Sequence, residues 1–349
     1  MSEIRQAPIG GPGVWTGAEL QADRRWAYPL SDVDRSELDA ALAQVKDTPL
    51  EGITQENFPL PDLSDRLTAL SDDLRVGRGF ALVRGFPVEG YTYANIERMY
   101  WGFCAHIGQG LTQNGDAGFI HYVTDGKLRP SQGRRGVGFP RESKLHIDLT
   151  DVVSLLCVRQ APDDPPSRTS SSLTLYNEIL RRRPEALARL YEGFEWDRMD
   201  EHGPGETPTS GYKVPVFSQK DGVISCQYNR NWINNAAERN STPLTDDENA
   251  IFDLIDAISA ETCLEFPFHT GDIQFCNNYT CFHGRAAHAV VDEEERKRVY
   301  LAEDQTRHPH RRAFGSEYWP VLWEAQEPED LQDVLENLTP LELVDVHDG

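Results

Sequence analysis

His146-Ile147-Asp148, set in a short apolar stretch, and Cys281-Phe282-His283-Gly284-Arg285, far downstream, decide how this chain is read. In an extended strand side chains alternate faces, so positions 146 and 148 point the same way while Ile147 turns to the other side. One strand thereby offers an imidazole and a carboxylate to a single point. A second imidazole from a distant strand gives two histidines and one carboxylate on one face of an octahedral metal. That set suits non-haem Fe(II) and leaves three positions open, as an oxygen-activating enzyme needs. Alone, a His-X-Asp triplet more often marks a packed, hydrogen-bonded histidine. Its surroundings change the balance.

Those surroundings are Gly271-Asp272-Ile273-Gln274-Phe275-Cys276-Asn277-Asn278, then His283-Gly284-Arg285, then Glu295-Arg296-Lys297-Arg298. In motif order and spacing the chain resembles the taurine dioxygenase (TauD/TfdA) family of Fe(II)- and 2-oxoglutarate-dependent oxygenases. The resemblance runs from about Gly79 to Phe86, through Gln113-Asn114 and the His-X-Asp strand, to about Glu303. It implies His146, Asp148 and His283 as ligands of Fe(II), with 2-oxoglutarate as co-substrate and O2 as oxidant.

A 2-oxo acid that chelates iron through its carboxylate and keto oxygen carries a second carboxylate at its far end, which is costly to bury unpaired. A guanidinium, with its planar fork of donors, is the natural partner. Family members place that arginine on the strand after the distal histidine. The best match is Arg298, 298 − 283 = 15 residues on, with Arg296 of the same strand parity as the understudy. The resemblance also implies an assisting hydroxyl, Ser167 or next Thr169, although Asp163-Asp164-Pro165-Pro166 stands where many relatives have Gly-Gly. Gln113, Asn114, Tyr228 and Arg230 match pocket positions. Ala302 stands where sulfonate-acting members carry another arginine, which argues against taurine as substrate. The expected reaction is hydroxylation of a small amino-acid-like or secondary-metabolite molecule. Desaturation or ring closure begins with the same hydrogen removal, whereas the presence of Asp148 disfavours halogenation. Two rivals stand beside this reading. A cupin-like metal-dependent dioxygenase binding its substrate directly would not need Arg298, and a non-catalytic scaffold would tolerate loss of Asp148.

Composition sets the outer limits. The chain has 349 residues, with 34 Lys plus Arg against 57 Asp plus Glu, a net charge of −23. So acidic a surface repels phosphate backbones and anionic membranes, so neither nucleic acid nor membrane is an expected partner. No stretch approaches a membrane span or a leader peptide. The six cysteines form no C-x-x-C pair, and several sit in apolar runs such as Leu155-Leu156-Cys157-Val158. A cytoplasmic, reducing setting follows.

Along the chain, residues 1–30 form a Gly/Pro-containing arm tacked down by Trp15 and Trp26. Ser31 caps a helix from Asp32 to Val45, and a second helix runs from Leu63 to Leu74 into a strand from Gly79 to Arg84. Further helices are expected over Asn95–Cys104, Tyr176–Arg182, Glu185–Glu192 and Thr245–Thr262, with a polar loop from Gln109 to Asp116. Strands dominate the second half. The expected fold is mainly β with peripheral helices (α+β), one domain over residues 1–349 whose core, about 79–303, is a double-stranded β-helix, the cupin-like jelly roll. The stretch from Arg198 to Pro215, poor in apolar anchors, is expected to be a lid or disordered. Residues 304–349 form an extension whose apolar positions cap the body or join a partner copy in a homo-oligomer.

Overall fold

Every side chain of Phe80-Ala81-Leu82-Val83 is buried, but in alternation into two different cores. Such a strand is covered on both faces, which is why its apolar run is continuous rather than alternating. The computed structural model describes residues 4–110, 119–123, 142–160, 164–199, 202, 205–220, 222–286 and 297–304. Its helices are α1 (Gly17–Ala22), α2 (Asp32–Gln44), α3 (Ser64–Arg75), α4 (Tyr93–Cys104), α5 (Ser172–Arg182), α6 (Ala186–Glu192), α7 (Arg230–Arg239) and α8 (Asp246–Thr262). The strands of the first half are β1 (Ala27–Pro29), β2 (Phe80–Arg84), β3 (Gln109–Gly110), β4 (His121–Val123), β5 (Ser143–His146), β6 (Val152–Arg159) and β7 (Ser167–Ser171). Those of the second are β8 (Phe217–Lys220), β9 (Val223–Cys226), β10 (Leu264–Phe266), β11 (Ile273–Asn277), β12 (Cys281–Arg285) and β13 (Lys297–Asp304).

Two sheets carry the architecture. The larger has the order β1-β2-β11-β6-β13-β3, with β4 also on β13; the smaller has the order β10-β7-β12-β5, and β8 and β9 form a separate hairpin. All pairings are antiparallel except β1 with β2. Phe80, Leu82, Val153, Cys157 and Cys276 of the larger sheet meet Leu264, Phe266 and Cys281 of the smaller one, with Trp15 and Trp26 of the N-terminal arm closing the edge. Ala81, Val83, Leu156 and Phe275, on the other face, pack under α2, α3 and α4. Phe282 of the smaller sheet and Ile147, just beyond the end of β5, face α5, α6, α7 and α8. The order of layers is therefore helices, sheet, sheet, helices. Each fully buried large apolar side chain stabilises this arrangement by roughly 1.5–3 kcal/mol.

The chain crosses from one sheet to the other at Asn277-Asn278-Tyr279-Thr280, and buried amides hold the corner. Asn277 Nδ2 donates to the Leu74 carbonyl at 2.9 Å, and its Oδ1 accepts from Tyr279 N at 2.7 Å.

The helices expected from periodicity are present, within a few residues at each end. Three features differ from expectation. α7, which was not expected, is largely polar with only Ile233 and Ala236 buried, and begins where the Asn229 side chain caps Trp232 N. Gln109 and Gly110, expected in a loop, pair with Asp304 and Glu303 as β3. The stretch expected as a lid or disordered loop is packed where it is described. Val214 pairs with Phe194 and Thr209 with Asp197, while Tyr212 and Val214 are buried on the α5–α8 side. Its anchors are too few and too scattered among polar residues to stand out in the sequence. All six cysteines are free, five of them buried. Among the described residues no helix is long and apolar enough to cross a membrane. Residues 305–349 lie outside the described part.

Candidate metal centre

β5 and β12 meet with His146 directly opposite His283. Beyond that pair the ladder shifts, because the next register pair is Arg285 with Ser143: two steps along β12 match three along β5. The extra residue bulges β5, and position 284 has no room for a side chain. A Cβ on Gly284 would stand 2.6 Å from the Ser143 carbonyl oxygen and 3.1 Å from Leu145 N. The bulge leaves the Lys144 carbonyl 2.7 Å from His146 Nδ1. A carbonyl only accepts, so Nδ1 carries a proton in either charge state and Nε2 is the nitrogen that would exchange its proton for a metal.

Along β12, Cys281 faces the space between the sheets and Phe282 the helices, so His283 returns to the inter-sheet side. The two imidazole rings lie 4.5 Å apart between centroids. Asp148 joins them, its Oδ1 3.5 Å from His146 Nε2 and its Oδ2 3.3 Å from His283 Nε2. One ligand atom from each of the three lies within 4.8 Å of the others. The three side chains are 20%, 23% and 15% exposed for His146, Asp148 and His283, enclosed but reachable from solvent. Two imidazole nitrogens and one carboxylate oxygen converging on a point fit a divalent iron with open positions.

The electrostatics match a cation site. Burial pushes the Asp148 carboxyl up, but the charge of His283 and hydrogen bonds from both imidazoles outweigh it and hold Asp148 well below the usual carboxylate range. Burial also disfavours a charged His146, yet the bond and charge of Asp148, with the Lys144 carbonyl, leave its pKa above the ordinary value. For His283 burial dominates, with the neighbouring His146 adding to it, and the pKa is lowered. Among the described residues His283 Nδ1 is buried without a hydrogen-bond partner. The carboxylate is thus kept ionised and one imidazole neutral, as ligation requires.

Asp148 lies beyond the end of β5, and side chains hold its peptide groups instead of a strand ladder. Its N–H donates to Asn278 Oδ1 at 3.3 Å, and its carbonyl accepts from Gln227 Nε2 at 3.0 Å. Asn278 Nδ2 also donates to Thr150 Oγ1 at 3.0 Å, and the Asn278 N–H to the Asp151 carbonyl at 2.9 Å. Ile147 is fully buried among the helices, and its N–H donates to the Tyr228 carbonyl at 2.9 Å. The sequence carries no signal for Gln227. Asn278 stands in the quoted Asn-Asn pair, and Gly284 between the histidine and the arginine.

The other sequence candidates divide. Thr169 is the register partner of His283 on the side away from His146, but its hydroxyl is already used. It donates to the Phe282 carbonyl at 2.9 Å and contacts Cys281 Sγ at 2.8 Å, so it ties strands rather than facing a ligand. Ser167, two residues away on the same face, is buried opposite Arg285 and Phe266. Arg298 stands in β13 as the register partner of Cys157, itself buried between the sheets. Tyr228 and Arg230, expected at the pocket, make their contacts on the helical side of the smaller sheet. The Tyr228 ring packs on Phe282 and Phe252 at 6.0 and 5.7 Å, on the helical side of the sheet. Arg230 pairs with Asp253 and Asp256 at 2.8 and 2.6 Å. Their motif positions match, but Phe282 alternates with His283, and what touches one turns away from the other. A surface groove lined by Glu142, Lys144, Arg168 and Asp256 also lies behind β5, apart from the triad. Gln113, Asn114 and Arg296 lie outside the described residues.

Comparison with known proteins agrees with this geometry. FR-33289 synthase of Streptomyces rubellomurinus is 27% identical over 303 residues, covering 84% of this chain and 88% of that protein. The taurine hydroxylase-like protein SAT17 of Stachybotrys chartarum is 28% identical over 289 residues, covering 78% and 73%. Among solved structures, an asparagine oxygenase in complex with Fe(II), 2S,3S-3-hydroxyasparagine and succinate superposes with a TM-score of 0.61 at 15% identity, over 84% of this chain and 98% of that one. The non-haem iron oxygenase OrfP with Fe and alpha-ketoglutaric acid gives 0.57 at 15% identity, over 80% and 94%. These two likenesses establish the fold. The profile of the family described as taurine catabolism dioxygenase TauD, TfdA matches residues 46–302, which include the whole triad, and the chain belongs to that family of Fe(II)- and 2-oxoglutarate-dependent oxygenases.

Proposed function

We propose that this protein hydroxylates a small organic molecule, amino-acid-like or a secondary metabolite and not taurine, at a C–H bond, with the paired sheets as its jelly-roll core. The observation that carries this reading is the convergence of His146, Asp148 and His283 inside the family match. When bound, Fe(II) with 2-oxoglutarate and O2 supplies the oxidising power. The protein supplies position. His146 and His283 offer Nε2, the former with its tautomer set by the Lys144 carbonyl. Asp148 supplies the carboxylate. In this reading Arg298 takes the far carboxylate of 2-oxoglutarate and Ser167 assists it. The apolar inter-sheet core of Phe80, Leu264 and Phe266 closes one side against water.

The non-taurine substrate class is supported by Ala302, where sulfonate-acting members carry an arginine. It is supported too by the amino-acid product bound by the asparagine oxygenase and by the relative named for FR-33289 synthesis. The free, mostly buried cysteines support a reducing, cytoplasmic setting.

The test is anaerobic titration of the apoprotein with Fe(II) and then 2-oxoglutarate, followed by the visible charge-transfer band of a chelated 2-oxo acid. The band is expected in the wild type, absent in Asp148→Ala, and in Arg298→Ala formed only at much higher 2-oxoglutarate. Tight iron binding without a band would overturn the 2-oxoglutarate mechanism in favour of a metalloenzyme that binds its substrate directly. A succinate-release screen over amino acids and secondary metabolites then finds the substrate.

A further inference from the structure

We infer that Gln227 and Asn278 are positioning residues for the iron site, acting through the backbone of Asp148 rather than by touching the metal. This rests on the reading of His146, Asp148 and His283 as ligands. Asp148 follows the last residue of β5, so it has to be oriented by something other than a continuing strand. A buried peptide group left unpaired is costly, and two side-chain amides from separate parts of the fold take up this one. Asn278 Oδ1 accepts its N–H at 3.3 Å and Gln227 Nε2 donates to its carbonyl at 3.0 Å.

Both amides are themselves fixed. Gln227 is 2% exposed, at the end of β9, and its N–H donates to the Val216 carbonyl at 2.8 Å. Asn278 is fully buried at the corner between the sheets. Its Nδ2 donates to Thr150 Oγ1 at 3.0 Å, and its backbone N–H donates to the Asp151 carbonyl at 2.9 Å. The segment from Asp148 to Asp151 is therefore clamped from both sides. Ile147, anchored among the helices, prevents rotation about the strand axis. The same corner leads through Tyr279 and Thr280 into β12, which carries His283. One element thus sets the carboxylate through Asn278 and delivers the distal imidazole. Partners that orient a metal ligand are typically worth about ten- to a hundred-fold in metal affinity.

The experiment compares the wild type with Gln227→Met, Asn278→Leu and Asp148→Ala. The first two keep approximate size and lose the amide. Fe(II) affinity is read anaerobically by competition with a chromogenic chelator. The visible bands of the Co(II)-saturated protein report ligand geometry, and the melting temperature of the metal-free protein reports folding. The expected result is a ten-fold or greater loss of Fe(II) affinity in Gln227→Met and Asn278→Leu, with shifted Co(II) bands at saturation. A purely structural role would lower the melting temperature and leave those bands in place, and that outcome overturns the proposal. Wild-type affinity and bands in both variants, with iron lost in Asp148→Ala, overturns it while the metal site stands. Unchanged iron binding in Asp148→Ala would bring down the metal-site reading itself. If Asn278→Leu does not fold, Gln227→Met decides alone.

Discussion

His146 and His283 are direct register partners across β5 and β12, so a single ladder sets the separation of the two imidazoles. The bulge beside that pair depends on Gly284, whose Cβ position lies 2.6 Å from the Ser143 carbonyl. Gly284→Val is therefore expected to force β5 away from β12 and pull His146 and the Lys144 carbonyl out of place. Overpacking of this kind costs about 1–3 kcal/mol. Urea unfolding should show that loss, and the chelator competition should show weaker Fe(II) binding. A variant with wild-type stability and affinity would mean that the strands part freely, and the register argument would fail.

The triad was legible in the quoted motifs, and the alternation expected of a strand sends Ile147 and Phe282 to the helices. But β5 ends at His146, so Asp148 shares its face through the Asn278 and Gln227 side chains rather than through a strand ladder. Helix spans were legible wherever a stripe and a cap coincided, as at Ser31 and Thr245. What escaped depends on tertiary placement. Tyr228 and Arg230 match the family by position, but both faces of the smaller sheet are buried, and apolarity does not tell one face from the other. Gln227 is a lone glutamine at a hairpin end, and only the folded chain brings it to Asp148. α7 hid because Ile233 and Ala236 are its only buried residues.

The pH dependence of iron binding follows from the opposed histidines. In the metal-free protein His146 has a raised pKa, so its contribution to stability is complete below the unfolded value of 6.5 and is lost as pH rises through the native one. His283, lowered from the same value, works against it by costing stability as pH falls below the unfolded value. Asp148 contributes above its unfolded value of 3.8 and loses that contribution only in stronger acid. With His146 as a ligand, iron would compete with the proton for its Nε2. The rise in melting temperature on adding Fe(II) should therefore grow as pH rises above the ordinary imidazole value of 6.5 and level off once His146 is neutral. Thermal scans across that range, with and without iron, check it; a shift that is flat or larger in acid would contradict the assigned protonation.

Gly271-Asp272, part of the motif that carries the family resemblance, serves the fold rather than the iron. Asp272 is 3% exposed in its side chain and pairs with Arg84 at 2.9 Å, while its Oδ2 also accepts the His269 N–H at 2.9 Å. Asp272→Ala leaves the guanidinium and the turn unpaired. Because Arg84 remains 30% exposed, the cost is expected at about 2 kcal/mol, below that of a fully buried pair. The iron affinity should not change, since Asp272 precedes β11 and the corner that holds Asp148 follows it. A stable Asp272→Ala protein that has lost iron would assign the pair to the site instead.

Ser167 and Thr169 share a strand face but differ in what their hydroxyls are free to do. Thr169 spends its proton on the Phe282 carbonyl, next to the distal histidine. Thr169→Val keeps the shape and loses that bond, so it should lower stability by about 1 kcal/mol and leave the KM for 2-oxoglutarate where it was. Ser167→Ala should do the reverse. If Ser167 assists Arg298 at the far carboxylate, the KM rises several-fold while stability and iron affinity hold. Steady-state succinate release, measured over a range of 2-oxoglutarate with a substrate from the screen, separates the two. A raised KM in Thr169→Val with none in Ser167→Ala would move the co-substrate one residue pair along β7, toward His283.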